Sequence, residues 1–333
     1  MSTSCNSANC GDEQKKGCGS QDTCGSKPAE EARRRLDIDR ALGGIRHKIM
    51  VMSGKGGVGK STVAVNLAVG LVRSGYRVGL MDVDLHGPDV CRMLNLSEPF
   101  KGNLANGKIP PWRTADGLLV MSLENMLEDR DDPIIWRGPL KNQAIRRFIA
   151  DVAWGELDYL IIDAPPGTGD EPMTVAQMIK DAKALVVTTP QKVALADVRK
   201  SINFCKHVKL EILGLVENMS GYLCPHCGKL SELFKSGGGM ELAREAKLPF
   251  LGRIPLDPMI MMAGDDGAPF LNDGREGPAV VALREVVAAV LSSLPVEREE
   301  VATGGRGASS LAMAPQPGGC GCGGKCDPNL CDC

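Results

Sequence analysis

Gly54-Lys55-Gly56-Gly57-Val58-Gly59-Lys60-Ser61-Thr62 decides the reading of this chain. It fits the phosphate-binding pattern G-x-x-x-x-G-K-[ST], with a second lysine, Lys55, directly after the first glycine. Glycines let successive backbone N–H groups turn inward and cradle phosphate oxygens. Lys60 is placed to reach the β- and γ-phosphates, and the Ser61 hydroxyl to ligate Mg²⁺. Residues 48–53 (Lys-Ile-Met-Val-Met-Ser) read as a short apolar strand. Residues 60–74 read as a helix with Val63, Leu67, Leu71 and Val72 on one face. Strand, glycine loop, helix is the order this chemistry needs, because the phosphates sit at the helix N-terminus.

Outward from this loop, strand and helix patterns alternate. Further strands are expected at 77–82, 118–122, 158–163, 184–189, 211–217 and 250–254. Further helices are expected at 139–151, 172–181, 193–207, 238–246 and 277–294, and a short charged helix at 30–46 leads into the first strand. The alternation predicts an α/β fold: a mostly parallel, doubly wound sheet with helices on both faces and right-handed crossovers. The expected organisation is a Cys-rich flexible tail at 1–29, an ATPase domain at 30–295 and a second Cys-rich tail at 296–333. Both tails lack the large apolar residues a core needs.

Composition excludes some classes. Lys and Arg total 39 against 41 for Asp and Glu, so a general nucleic-acid binder is not expected. The run Arg33-Arg34-Arg35 reads as a solvated helix face. No apolar stretch is long enough to span a bilayer, and the N-terminus has no signal-like apolar core, so no membrane partner and a cytoplasmic location are expected. In a reducing cytoplasm, the 13 cysteines point to metal binding rather than disulfides.

Acidic residues follow two of the strands. Asp82 and Asp84 end the run Val78-Gly-Leu-Met, where ligands bind in open α/β sheets, and suit Mg²⁺ support and orientation of a water. Asp163 ends Tyr159-Leu-Ile-Ile, the usual place for a second metal-holding acid. Gly167, four residues on, is expected to offer its N–H to a γ-phosphate.

The loop resembles the deviant phosphate loop of the MinD/ParA/nitrogenase-iron-protein class. Asp82-Val-Asp-Leu-His-Gly-Pro, Trp136-Arg-Gly-Pro and Val216-Glu-Asn-Met-Ser-Gly-Tyr-Leu-Cys-Pro-His-Cys-Gly further resemble the Mrp/ApbC group of iron–sulfur cluster carrier ATPases of the P-loop NTPase type. The resemblance covers roughly residues 30–295. It implies an ATP-sandwich dimer in which Lys55 reaches the partner's nucleotide, Asp84 positions the hydrolytic water, Asp82 and Asp163 support Mg²⁺, and Asn218 contacts adenine.

Cys224-Pro-His-Cys227-Gly puts two thiolates on one tight turn. Two ligands do not complete a tetrahedral zinc or a four-iron cluster. A two-fold homodimer would supply the other two, because an isologous interface duplicates the patch. Spacing alone favours a zinc knuckle; the carrier resemblance favours a bridging 4Fe-4S cluster. His226 reads as a turn residue, and Cys91 and Cys205 as ordinary cysteines at apolar positions. The tail cysteines (5, 10, 18, 24, 320, 322, 326, 331 and 333) match no standard ferredoxin spacing, including the N-terminal cluster motif of eukaryotic relatives.

The expected function is an ATP-dependent carrier or scaffold that passes a labile 4Fe-4S cluster to apoproteins with slow ATP hydrolysis. A MinD/ParA-like positioning ATPase, a zinc-binding ATPase and an electron-transfer ATPase are the alternatives. Positioning ATPases need a basic amphipathic end helix or a basic surface, and this C-terminus is Gly- and Cys-rich. The nitrogenase iron protein carries its bridging cysteines far apart in sequence, unlike Cys224 and Cys227.

Overall fold

The computed structural model describes residues 32–33, 35–84, 87–96, 108–122, 124, 138–224, 226–271 and 276–297. The expected tails, apart from residues 296–297, lie outside them, as do Leu85, His86, Trp136, Arg137 and Pro225 of the quoted runs.

The strands are β1 (Ile45–Ser53), β2 (Val78–Asp82), β3 (Trp112–Arg113), β4 (Leu119–Ser122), β5 (Leu157–Asp163), β6 (Ala182–Thr188), β7 (Glu211–Glu217), β8 (Tyr222–Leu223), β9 (Leu230–Ser231) and β10 (Phe250–Arg253). The helices are α1 (Lys60–Arg73), α2 (Val90–Met93), α3 (Gly138–Asp151), α4 (Asp170–Met178), α5 (Lys192–Val208), α6 (Gly238–Ala246), α7 (Pro258–Asp265) and α8 (Pro278–Ser293). Residues 35–42 form a further helix ahead of β1.

Eight strands make one sheet in the order β10-β7-β6-β1-β5-β2-β4-β3. All its pairings are parallel except β3 with β4. The expected doubly wound, mostly parallel sheet is therefore what the chain forms. Alternate residues of β1 feed two cores. Ile49 and Val51 pack with Val63, Leu67 and Leu71 of α1 and Val286 and Val290 of α8. Met50 and Met52 pack on the opposite layer with Phe148 of α3, Val175 of α4 and Ile202 of α5. Both faces of the central strands are thus dry, which explains their near-continuous apolar runs.

The strand expected to begin at 48 begins at Ile45. Arg46 and His47 lie outside the expected strand, yet they join it with Lys48, its expected first residue, because tertiary partners accommodate these polar side chains; Arg46 lies 3.8 Å from the Asp158 carboxylate. The His47 ring stacks on Tyr159, and the buried Lys48 ammonium donates to Asp181 at 2.6 Å and to the Ile45 carbonyl at 3.0 Å. Helix α7 was not expected. Its signal was in the sequence: the Asp257 side chain accepts the Met259 N–H at 2.9 Å and Pro258 occupies the first turn, an N-cap followed by proline. The β8–β9 hairpin, two residues per strand, was too short for periodicity to reveal.

Candidate functional site

Strand order reverses around β1, which lies between β6 and β5, so a crevice opens beyond the carboxyl ends of these strands. The phosphate loop, Asp82, Asp84 and Asp163 all lie there. Gly57 and Gly59 have φ of +76° and +79°, a left-handed conformation that costs side chains energy. Gly59 is also where the Asn218 side chain presses on the loop: a Cβ there would lie 2.2 Å from Asn218 Nδ2. Gly54 lies against α5, so that a Cβ would sit 2.5 Å from the Asp197 carbonyl carbon. Gly56 meets nothing within 4 Å on its Cβ side. Val58 is buried, while Thr62 and Ser61 are half-buried in the first turn of α1.

Lys60 is buried and turned into the acidic cluster. Its Nζ lies 2.6 Å from Asp163 Oδ1, 3.6 Å from Asp84 Oδ2 and 3.4 Å from Ser61 Oγ. Burial works against its charge, but the Asp163 and Asp84 carboxylates outweigh burial and raise its pKa. Asp82 and Asp163 are register partners on adjacent parallel strands, both fully buried. Burial raises Asp163, against the opposing pull of Lys60. Burial, followed by the charge of Asp163, pushes Asp82 well above the ordinary carboxylate range.

The oxygens of these acids are used differently. Asp82 Oδ1 accepts the Asp84 N–H at 3.0 Å and Oδ2 accepts the Ser122 hydroxyl at 3.1 Å. Asp82 therefore shapes the turn that carries Asp84, and Ser122 is a supporting residue the sequence did not reveal. Asp163 Oδ2 is buried without a hydrogen-bond partner among the described residues. Three carboxylates face one ammonium here, an excess of two negative charges when all are ionised. A buried oxygen without a donor and surplus charge both fit a divalent cation with oxygen ligands.

Two expected contacts are arranged differently. The Gly167 N–H, expected to face phosphate, donates to the Ser53 carbonyl at 2.9 Å. Asn218, at the end of β7, gives its side-chain N–H to the Val58 carbonyl at 2.9 Å, so it braces the phosphate loop itself. It also lines a cavity of about 540 Å³ with Gly59, Thr62, Met219 and Leu256, beside the first turn of α1. Lys55 is half-buried, and its ammonium has no ion-pair partner among the described residues.

The cysteine turn is the tip of the β8–β9 hairpin. Gly228 donates its N–H to the Cys224 carbonyl at 2.9 Å and adopts φ +66°. The Cys227 and His226 backbone N–H groups point at the Cys224 sulfur and hold its thiol below the usual range, the Cys227 bond foremost. Cys224 is half-buried and Cys227 exposed, and among the described residues no further His, Cys, Asp or Glu side chain is grouped with both of them to hold a metal. By contrast Cys91 and Cys205 are buried; burial pushes the Cys205 thiol up to about 12, the mark of an inert core cysteine.

A glycine loop between β1 and α1, acids closing β2 and β5, and this sheet order define a P-loop NTPase of the MinD-like fold. The chain belongs to the family described as ParA, NUBPL iron-transfer P-loop NTPase, whose model matches residues 44–291. It is 46% identical over 258 residues to the cytosolic Fe-S cluster assembly factor NUBP2 of Bos taurus, covering 76% of this chain and 95% of that one. It is 47% identical over 257 residues to the iron-sulfur cluster carrier protein of Methanocaldococcus jannaschii, covering 76% and 88%. Among solved structures, the nucleotide-binding protein of Archaeoglobus fulgidus in complex with ADP matches with a TM-score of 0.64 at 40% identity, over 73% of this chain and 94% of that one. The cell-division ATPase MinD of Pyrococcus furiosus matches with a TM-score of 0.56 at 26% identity, over 74% and 99%.

Proposed function

We propose that this protein is an ATPase that carries a labile 4Fe-4S cluster between two copies of itself and delivers it to apoproteins in the cytoplasm. The observation that carries the reading is the Cys224–Cys227 turn: two thiols at an exposed hairpin tip, with no third metal-ligating side chain grouped with them among the described residues. A second copy of the turn completes a four-thiolate set. The relatives named for cluster assembly or transport, at 46–47% identity, favour this over a MinD-like positioning role.

The nucleotide chemistry follows from the chain's own groups. The phosphate loop wraps the phosphates with backbone N–H groups of residues 54–62, and Lys60 leaves Asp163 for the β- and γ-phosphates. Ser61 and Asp163, with Asp82 behind them, would hold Mg²⁺, which neutralises phosphate charge when bound. Asp84, held by Asp82, orients the attacking water. Lys55 acts on the partner's nucleotide, and Asn218 extends from the loop toward the base. When the γ-phosphate is present, the Gly167 N–H leaves Ser53 for it, and loss of that phosphate restores the resting bond. Such a switch changes how the two subunits meet and so the grip on the cluster.

The test is anaerobic reconstitution with iron and sulfide, followed by metal analysis and light scattering. About four irons per dimer, lost in Cys224→Ala/Cys227→Ala while nucleotide binding persists, is the expected result. A monomer holding four irons would overturn the bridged arrangement. The zinc reading has its own support, since backbone N–H groups aimed at a thiolate also suit a zinc knuckle; it predicts zinc, with no visible iron–sulfur chromophore, in protein purified without reconstitution.

A further inference from the structure

The end of β7 joins the phosphate loop to the cysteine hairpin through two consecutive residues. Asn218 is the first grip: its backbone N–H donates to the Thr188 carbonyl at 2.7 Å and its side chain to the Val58 carbonyl of the loop at 2.9 Å. Glu217 is the second. Its carboxylate is completely buried, yet no Lys or Arg pairs with it among the described residues. Instead it accepts the Ser220 hydroxyl at 2.5 Å, the Gly237 N–H at 2.8 Å, and the Gly239 N–H.

Those three donors flank the hairpin. Ser220 stands just before β8, and Gly237 and Gly239 just after the segment that follows β9, at the positive N-terminus of α6. Glu217 thus holds both feet of the loop whose tip carries Cys224 and Cys227. The feet also meet directly, through Gly221 N–H to the Lys235 carbonyl at 3.3 Å. The fit is close: a Cβ on Gly239 would stand 3.0 Å from Glu217 Oε2. Met219, immediately after the Asn218 grip, is held at φ +55°, a sharp reversal that sets Ser220 back toward Glu217. A carboxylate that is expensive to bury thus occupies a link between the two candidate sites.

Resting on the reading of Cys224 and Cys227 as the working thiols, we propose that Glu217 is a positioning residue that couples the nucleotide state to the cysteine turn. A shift of the phosphate loop moves Asn218 through Val58, the reversal at Met219 carries the motion to Glu217, and the hairpin feet follow the carboxylate. Such a link requires an element with two arrangements that both sites bias.

The test reads thiol exposure in cluster-free full-length protein, so its failure is separate from any failure to bind iron. N-ethylmaleimide labelling of the peptide containing Cys224 and Cys227 is timed by mass spectrometry, with and without a non-hydrolysable ATP analogue and Mg²⁺. Nucleotide affinity is measured in parallel by calorimetry. In wild type the analogue should change the labelling rate by at least about fivefold. In Glu217→Gln, which keeps the shape but sets an amide N–H against backbone donors, the ratio should fall toward one with analogue affinity unchanged. Ser220→Ala, which removes a single donor, should lower the ratio part of the way and decides the matter if Glu217→Gln does not fold. A wild-type ratio near one overturns the coupling, and a full wild-type ratio in both variants overturns the role of Glu217.

Discussion

Gly57 and Gly59 offer a controlled comparison within one loop. Both are left-handed, at φ +76° and +79°. A Cβ at Gly57 meets nothing within 4 Å, whereas one at Gly59 would lie 2.2 Å from Asn218 Nδ2. Gly57→Ala should therefore cost only the left-handed penalty, about 1–2 kcal/mol. Gly59→Ala carries the same penalty and must also displace the Asn218 amide from the Val58 carbonyl, another ~1 kcal/mol for a lost hydrogen bond and more for crowding. The expected difference between the variants is about 1–3 kcal/mol, or roughly 2–12 °C in Tm at 2–4 °C per kcal/mol. Urea or thermal unfolding of each nucleotide-free variant gives the number. In an Asn218→Ala background the steric excess of Gly59→Ala should vanish, because the crowding atom is gone. Equal destabilisation by the two glycine variants, or an excess that survives Asn218→Ala, would refute the view that Asn218 braces the loop.

The lysines and the buried acid pair yield further expectations. Lys60→Ala should abolish nucleotide binding, because it removes the β/γ-phosphate cation; Lys55→Ala should keep binding but lose hydrolysis. Mixing Lys55→Ala with Asp84→Ala should restore partial ATPase activity if Lys55 acts across a dimer, since one composite site then carries neither lesion; no recovery in proven heterodimers would exclude action in trans. Asp82 and Asp163 have pKa values raised by burial, so between the ordinary Asp value of 3.8 and the raised one the folded state binds more protons than the unfolded. Stability from this pair is therefore lost as pH rises through the raised values. Asp82→Asn should accordingly gain Tm relative to wild type on going from pH 4 to pH 7 without Mg²⁺, and added Mg²⁺ should stabilise wild type more than the variant. A difference independent of pH would contradict the assigned burial.

Local order was legible wherever one residue pattern had one physical outcome. Continuous apolar runs ending in acid, as in Tyr159-Leu-Ile-Ile-Asp163, become central parallel strands because both faces must be dry and the acid must emerge at the end. The glycine spacing of 54–59 marks a backbone that turns its N–H groups inward, a property of the chain alone. The short spacing of Cys224 and Cys227 likewise marked two thiols on one turn, which is the tip of the β8–β9 hairpin. Partnership was not legible, because it joins residues far apart in sequence. His47 lies outside the expected strand until its ring stacks on Tyr159 inside β1. That the Gly167 N–H donates to the Ser53 carbonyl of β1 is likewise visible only in three dimensions. Ser122 behind Asp82, Asn218 on Val58 and Glu217 across the feet of the hairpin join positions 20 to 160 residues apart. The sequence by itself determined the sheet, the loop and the presence of the thiols, since these follow from periodicity and short spacing. Only the tertiary structure decided which buried carboxylate oxygen lacks a donor and which hydrogen bonds run from Glu217 and Asn218 to the hairpin and the loop, since hydrogen-bond satisfaction in a dry interior is settled by three-dimensional neighbours.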